Sequence, residues 1–281
     1  MHRDGSTATG PIALCEVQGY VHAAWRAAAM LARALGDAPR GDSCQVRAAA
    51  LRDRFDEAFW CEEIGTYALA LDGRKVACAV RTSNAGQCLF GGIAKPARAP
   101  VVARTLMAAD SLSGWGIRTL AAGETRFNPM GYHTGGVWPH DNSLIAEGLA
   151  SYDLFHEASL LFQAQFDASL HFDLQRMPEL FCGFARQPDE APMPYPLACA
   201  PQAWAAGAVF LLLKASLGAD IDAINRRVII GNPRLPAGLD TLFISGLDVG
   251  GVNVDLGFDR HDRGIAVSLG RNDGSVTLVH P

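Results

Sequence analysis

One eight-residue stretch of the chain combines several side chains that can contact a polyhydroxylated ligand. Residues 135–142 read GGVWPHDN, which places an indole at Trp138, an imidazole at His140 and a carboxylate at Asp141. An indole offers a flat apolar face and one N–H donor, and a helix that starts here leaves backbone N–H groups pointing outward. The stretch therefore suits a sugar, whose C–H faces stack and whose hydroxyls form hydrogen bonds. It equally suits a packing role, with Asp141 as a helix cap and Trp138 in the core.

A second candidate for chemistry is Glu179, in the segment MPELFCGF at 177–184. Its neighbours are mostly apolar, so we expect a poorly solvated carboxylate whose pKa is raised towards the range useful for proton transfer. The alternative is a glutamate on the loop surface with its apolar neighbours turned inward. Tryptophans such as Trp115 and Trp204 also occur more often in protein cores than as ligand platforms.

Helices separated by long loops are expected to position these residues. The apolar residues of 14–35 recur at helical spacing, with Val17, Val21 and Leu31 among them, and residues 66–72 alternate as a short strand does. The predicted helices cover 14–35, 46–60, 101–112, 142–152, 154–170 and 201–217. Long loops inside a compact domain usually carry function.

The pattern of apolar and polar residues changes after residue 220. Short alternating runs with glycine or proline between them begin at 227, 241, 252, 265 and 276. This pattern predicts a helical domain over 1–221, followed by a small antiparallel β domain over 222–281. The predicted fold is therefore mainly α with a C-terminal β appendage.

Composition and charge restrict the classes of partner. The 281 residues carry a net charge of −5 without a Lys/Arg cluster, which makes nucleic acid and anionic membranes poor partners. The seven cysteines are dispersed, and His133 and His140 have no metal-ligand spacing, so we expect a reducing, cytoplasmic location and no bound metal. The chain also lacks a G-x-S-x-G elbow and a phosphate-binding loop.

Several ordered blocks together resemble the bacterial glycogen-debranching proteins, the amylo-α-1,6-glucosidase-like members of the six-hairpin glycosidases. The resemblance runs from about residue 10 to the C-terminus. The blocks are CEVQGYVHAA (15–24), SNAGQCLFGGIA (83–94), SGWGIRTLA (113–121), NPMGYHTGGVWPHDN (128–142), RMPELFCGF (176–184) and YPLACAPQAWAA (195–206).

The resemblance implies an (α/α)6 toroid of twelve helices with a sugar site built from the loops at one end. Such enzymes hydrolyse glycosidic bonds with inversion, using one carboxylic acid and one carboxylate base. Glu179 matches the glutamate of the family's M/L-P-E-L block and suits the base. By the same analogy the glucosyl pocket is lined by Trp115, Tyr132, Trp138, His140, Asp141 and Gln202. No cofactor is implied, because proton transfer and water suffice.

The chain departs from the family in one respect that affects activity. Its six predicted helices make half of a toroid, and the W-K-D-S-type segment with the general acid, expected just before His2, is absent. Glu16 is the nearest remaining carboxylate in a matching block and is taken as a substrate-binding candidate. The chain is thus expected to be the C-terminal part of a longer protein. Its uncovered apolar faces should bind a separate N-terminal half or a second copy.

Three functions therefore compete. The first is an inverting glucosidase acting on α-linked glucosides, with Glu179 as the base and the acid supplied from elsewhere. The second is a carbohydrate-binding remnant without turnover. The third is a subunit that pairs with a separately encoded half.

Overall fold

The computed structural model describes residues 1–272 and 275–280. Within these residues, seven α-helices precede the C-terminal strands, and none of them is both long and apolar enough to cross a bilayer. The helices are α1 (Cys15–Ala34), α2 (Ala38–Phe59), α3 (Asn84–Phe90), α4 (Ala99–Leu106), α5 (Pro139–Ala150), α6 (Phe155–Ser169) and α7 (Ala203–Leu217).

The helices form two layers. Along one layer, α1 packs against α3, α3 against α5, and α5 against α7. In the other layer, α2 lies on α1, α4 on α3, and α6 on α5 and α7. Their shared core includes Phe55, Leu89, Ile145 and Leu161. This alternation is what an arc of an (α/α) ring requires, and the complete toroid stays a prediction.

Short strands connect the helices, and longer ones follow them. Between the helices, β2 pairs with β3, and β4 lies between β1 and β5. The strands are β1 (Ala13–Leu14), β2 (Trp60–Cys61), β3 (Thr66–Tyr67), β4 (Ala70–Leu71), β5 (Ala77–Cys78), β6 (Ala219–Asp222), β7 (Arg227–Ile230), β8 (Thr241–Val249), β9 (Val252–His261), β10 (Gly264–Leu269) and β11 (Thr277–Val279).

The C-terminal strands form two three-stranded sheets around their own apolar core. The sheet β8–β9–β10 is antiparallel, whereas β7 pairs antiparallel with β6 and parallel with β11. The core between them includes Val228, Ile230, Val254 and Phe258. The C-terminal β region was predicted, but its wholly antiparallel character is wrong for the β7–β11 pair, because β11 returns alongside β7 from a distant part of the chain.

The sequence pattern did not predict one of the helices, and the predicted ends of others differ from the observed ends. Helix α2 begins at Ala38 and not at 46, because Asp37 accepts a hydrogen bond from the backbone of Arg40 and Pro39 suits the first turn. The missed helix α3 is only seven residues long and contains Gly86, so its pattern is too short for periodicity to reveal. Helix α4 ends at Leu106 and not at 112.

The apolar stripe of α1 does not face the core. The buried residues of this helix are Cys15, Gly19, His22, Ala29 and Ala32. Of the predicted stripe, Val17 is 44%, Val21 41% and Leu31 64% exposed. Small side chains on the other face allow α2 and α3 to pack closely against α1. The larger hydrophobic side chains of α1 are therefore exposed to solvent.

Candidate active site

The first turns of alternate helices converge on one open cavity. Helices α3, α5 and α7 each contribute residues close to their N-termini, and loops between the helices supply the remaining wall. The cavity holds about 610 Å³, which is within the usual range for small-molecule sites. Its lining residues are Met1, Leu69, Thr82, Ser83, Asn84, Thr119, Leu120, Tyr132, His133, Trp138, His140, Asp141 and Trp204.

Three loop segments are tied together beneath this cavity. Val137 forms isolated β-bridges with both Arg118 and Phe181, so the segments around 118, 137 and 181 lie side by side. The Arg118 guanidinium is buried and donates to three carbonyl oxygens, the nearest being that of Gly183 at 2.6 Å. A side chain at 183 would meet the carbonyl oxygen of Gly135 at 1.8 Å, so only glycine permits this approach.

Asp141 lies in the first turn of α5 and turns its carboxylate towards α3. Pro139 starts this helix, and no side chain caps it, so the capping role considered for Asp141 is wrong. The Oδ1 atom accepts a hydrogen bond from the side-chain amide of Gln87, and the nearby Ser83 side chain favours the charged form of this carboxylate. The Oδ2 atom is buried without a hydrogen-bond partner among the described residues. Burial raises the pKa of Asp141, since the charged form is poorly solvated there.

Aromatic rings form the other side of the cavity. The His140 ring stacks on the half-exposed Trp204 with centroids 4.5 Å apart, and the His133 ring lies parallel to Trp138 at 5.7 Å. Trp138 is 5% exposed, and its indole N–H donates to the carbonyl oxygen of Tyr132 at 3.0 Å. Trp138 is therefore packed and also lines the cavity. Burial lowers the pKa of His140, which favours its neutral imidazole.

Glu179 is buried, with 7% of its surface exposed, and two groups hold its carboxylate. The Tyr132 hydroxyl donates to Oε1 at 2.6 Å, and the backbone N–H of Cys199 donates to Oε2 at 3.2 Å. The bond from Tyr132 is the largest of the causes that lower the pKa of Glu179. The expected rise of this pKa is therefore wrong, because hydrogen bonds to the charged form outweigh desolvation. A carboxylate that stays ionised suits a base and not an acid.

Glu16 approaches the cavity from the start of α1. Burial raises the pKa of its carboxyl, while the side chains of Cys15 and of Asn84, which lines the cavity, partly oppose that rise. The charge of Asp141 also raises the pKa of Glu16, so the two carboxylates are close enough to repel.

Glu16 and Glu179 are not among the residues that line the cavity, and neither are the two remaining predicted residues, Gln202 and Trp115. Gln202 is the N-cap residue of α7, where its side chain accepts from the N–H of Ala203 at 3.1 Å, and it lies close enough to Glu179 to favour the ionised form of that carboxylate. Trp115 is 3% exposed and packs beneath the guanidinium of Arg186, 4.2 Å from the ring centroid. The structure thus brings Gln202 to Glu179 and places Trp115 in a separate packing cluster.

Sequence reasoning overlooked the polar residues at the start of α3. Thr82, Ser83 and Asn84 line the cavity, and Gln87 holds Asp141 from the same helix. The block beginning at Ser83 was recognised as part of a family pattern, but without a predicted helix nothing indicated which side it faced. The hydroxyl and amide residues before a glycine-containing segment were the available signal.

Paired helices with aromatic and carboxylate residues gathered at one end have the architecture expected of an (α/α) glycoside hydrolase. The family model of the mannosylglycerate hydrolase MGH1-like glycoside hydrolase domain matches residues 3–176. The match covers more than half of the chain, and the protein belongs to this family. A search of the curated proteins gave no match.

Solved structures support the fold. The GH63 mannosylglycerate hydrolase from Thermus thermophilus, in complex with glucose, is 23% identical over 72% of this chain and 45% of that one, with a TM-score of 0.57. The GH78 family rhamnosidase of Bacillus sp. GL1 is 16% identical over 95% of this chain and 26% of that one, with a TM-score of 0.68. A structure named sialidase has a TM-score of 0.74 at 13% identity, over 95% of this chain and 26% of that one.

These comparisons confirm the predicted resemblance at the level of the glycoside hydrolase superfamily. The chain covers from 26% to 45% of the length of these solved structures.

Proposed function

We propose that this chain carries the sugar-binding cavity and the general base of an inverting glycoside hydrolase. The observation that carries the proposal is Glu179, a buried carboxylate kept ionised by the hydroxyl of Tyr132, and Tyr132 itself lines the aromatic cavity. An inverting enzyme needs one ionised carboxylate to take a proton from water on the face opposite the leaving group. Aromatic faces such as Trp138 and Trp204 suit the apolar faces of a hexose.

The proposed substrate is an α-glucoside, and the proposed reaction is of the amylo-α-1,6-glucosidase type. Support comes from the block resemblance around Trp138 and Glu179 and from the membership of a glycoside hydrolase family. Water attacks the anomeric carbon while Glu179 accepts its proton, and the leaving oxygen receives a proton from a general acid. No residue of this chain is assigned as the general acid.

Hydrolysis of branched and linear oligosaccharides tests this function directly. The purified chain is incubated with panose, isomaltose and maltotriose, and also with mannosylglycerate, the substrate named for a solved relative. Proton NMR of the first product identifies the anomer, and inversion of an α-linkage releases β-glucose. We expect Glu179→Gln to reduce the rate by about 100-fold or more, on the order of the contribution of a general base.

A matched control is available in the same loop region. Glu190→Gln removes one negative charge from an exposed position and should leave the rate unchanged. Equal activity of the wild type and Glu179→Gln would contradict the assigned base. Sugar binding without hydrolysis, measured by tryptophan fluorescence, would instead favour a binding remnant.

The exposed face of α1 favours a second candidate function, that of a subunit. Met30 is 70% and Leu31 64% exposed on α1, and Phe210 is 75% exposed on α7. Large apolar side chains on two helices of the same layer are what a partner chain would cover. In this reading a separately encoded half or a second copy completes the helical ring.

Co-expression distinguishes these partners. The product of the neighbouring upstream reading frame is produced together with this chain, and size-exclusion chromatography reports the complex. A stable heterodimer with raised activity supports the subunit function. A monomer that does not bind a hydrophobic dye contradicts it. We also propose a cytoplasmic location, which the seven unpaired cysteines support.

A further inference from the structure

One side chain joins the exposed face of α1 to the wall of the cavity. The hydroxyl of Tyr20 on α1 donates to Oε1 of Gln87 on α3 at 3.1 Å, and Nε2 of Gln87 donates to Oδ1 of Asp141 on α5. Gln87 is 5% exposed and is not among the residues that line the cavity, whereas Asp141 is one of them. Gln87 can therefore act on a ligand only through Asp141.

The two hydrogen bonds fix the orientation of the Gln87 amide. An amide has a carbonyl oxygen that accepts and an NH2 group that donates. With the oxygen towards Tyr20, the NH2 group faces Asp141, and the reversed amide would turn its oxygen towards the carboxylate. The phenol of Tyr20 stays protonated and remains a donor, because burial raises its pKa to about 12. Each bond in such a chain polarises the next one, so the hydroxyl strengthens the donation to Asp141.

Close packing of two helix backbones keeps Tyr20 within reach of Gln87. A side chain at Gly19 would meet the Cα atom of Cys88 at 3.6 Å, and one at Gly91 would meet the backbone of Gly19 at 2.6 Å. Helices α1 and α3 therefore pack without a side chain between them next to the Tyr20–Gln87 bond. Tyr20 itself is 43% exposed, so the connection to the cavity wall begins at the surface of the protein.

We propose that Gln87 is a positioning residue for Asp141 and that the Tyr20 hydroxyl holds Gln87 in that role, so that a surface residue of α1 sets the sugar affinity of the cavity. This role rests on the proposed sugar site and adds to it two residues that do not touch the ligand. Without the Tyr20 hydroxyl, the Gln87 amide has two orientations available, and only one of them donates to Asp141. The carboxylate is then held less firmly, and its ionised form loses support.

Tyr20→Phe tests the connection, because it removes the hydroxyl and keeps the half-exposed ring. Isomaltose is titrated at pH 7 while tryptophan fluorescence is followed. We expect the Kd to rise about threefold to tenfold, a range that corresponds to the loss of one hydrogen bond. Tyr152→Phe is the matched control. Tyr152 donates to the carbonyl oxygen of Ala94 at 2.7 Å, and neither residue lines the cavity, so this change should leave the Kd unaltered.

The pH dependence separates this role from a merely structural one. The titratable groups close to Asp141 are Glu16 and Tyr20 of α1 and His140 of its own helix. Burial raises the pKa of Asp141, and the bond from Gln87 opposes that rise. Weakening this bond raises the pKa further, so the loss of isomaltose affinity on acidification should begin at a higher pH in Tyr20→Phe than in the wild type. A structural loss would weaken binding by the same factor at every pH.

Gln87→Leu breaks the same connection at its centre, so it serves as the second variant where Tyr20→Phe fails to fold. It should raise the Kd at least as much, and Tyr20→Phe should then add less than about twofold to that rise, because both changes act on one connection. A wild-type Kd in either folded variant, or an unshifted pH profile in both, would overturn the positioning role. A wild type that does not bind isomaltose would contradict the proposed sugar site itself.

Discussion

The Asn142 side chain joins the N-terminus of α5 to a preceding loop. It is fully buried, its Oδ1 accepts from the N–H of Ile117 at 2.6 Å, and its Nδ2 donates to the carbonyl oxygens of Ile117 at 3.1 Å and Trp138 at 2.9 Å. It therefore joins the 113–119 loop to the helix that carries His140 and Asp141. We predict that Asn142→Ala destabilises the fold and loosens the cavity.

The magnitude follows from the groups that would lose their partners. The N–H and C=O of Ile117 have no other hydrogen bond among the described residues, whereas the Trp138 oxygen still accepts from the backbone N–H of Asn142. Each buried group left unpaired costs about 1–3 kcal/mol. The free energy of unfolding should thus fall by about 2–6 kcal/mol, and by the lower value if water fills the space.

Urea denaturation followed by circular dichroism measures this loss, provided that the slope m is unchanged. Asn128→Ala, at an exposed turn, is the control and should cost less than about 1 kcal/mol. Asn142→Asp adds a second check, because one carboxylate oxygen would face two carbonyl oxygens. The introduced carboxyl would have a raised pKa, so this variant should be less stable at pH 8 than at pH 5. A loss below about 1 kcal/mol for Asn142→Ala would refute the reasoning.

Four further substitutions have defined outcomes. Tyr132→Phe removes the largest cause of the low pKa of Glu179, so the acidic limb of the pH profile of kcat/KM should move to higher pH. Burial raises the pKa of Asp141 above its unfolded value, so stability falls as the pH rises from the unfolded to the folded pKa. Asp141→Asn should therefore raise the free energy of unfolding at pH 7 and change it little at pH 3, as measured by urea denaturation at the two pH values. Gly148→Ala would place a Cβ 2.6 Å from a backbone nitrogen of α3 and should cost about 1–3 kcal/mol, whereas Gly207→Ala meets nothing within 4 Å and should stabilise α7 by about 0.5–1 kcal/mol, both measured by thermal unfolding.

Much of the helical framework was predictable because local signals specify helices. Five of the predicted helices overlap α1, α2, α5, α6 and α7 over most of their lengths. Periodic apolar residues, Pro139 in the first turn of α5 and Gly218 after α7 all act within a few residues of one another. Helix α3 was not predicted because seven residues are too few to show a helical period.

The same local signals were misleading about which face of a helix is buried. The stripe of Val17, Val21 and Leu31 has the right spacing for a core face, yet it is exposed. Small residues such as Gly19 and Ala29 are buried because they allow close approach of neighbouring helices. Periodicity reports that a face is apolar, and the partners available in three dimensions decide whether it is covered.

By itself, the sequence determined that the chain is mainly helical with a C-terminal β region, and which loops carry aromatic and acidic residues. Only the tertiary structure decided that Asp141 meets Gln87, that Tyr132 meets Glu179, and that Trp115 lies apart from both. It also reversed the expected pKa shift of Glu179. The physical reason is that hydrogen bonds and desolvation act over a few ångströms, between residues 47 and 54 positions apart in the chain, and no local pattern encodes those distances.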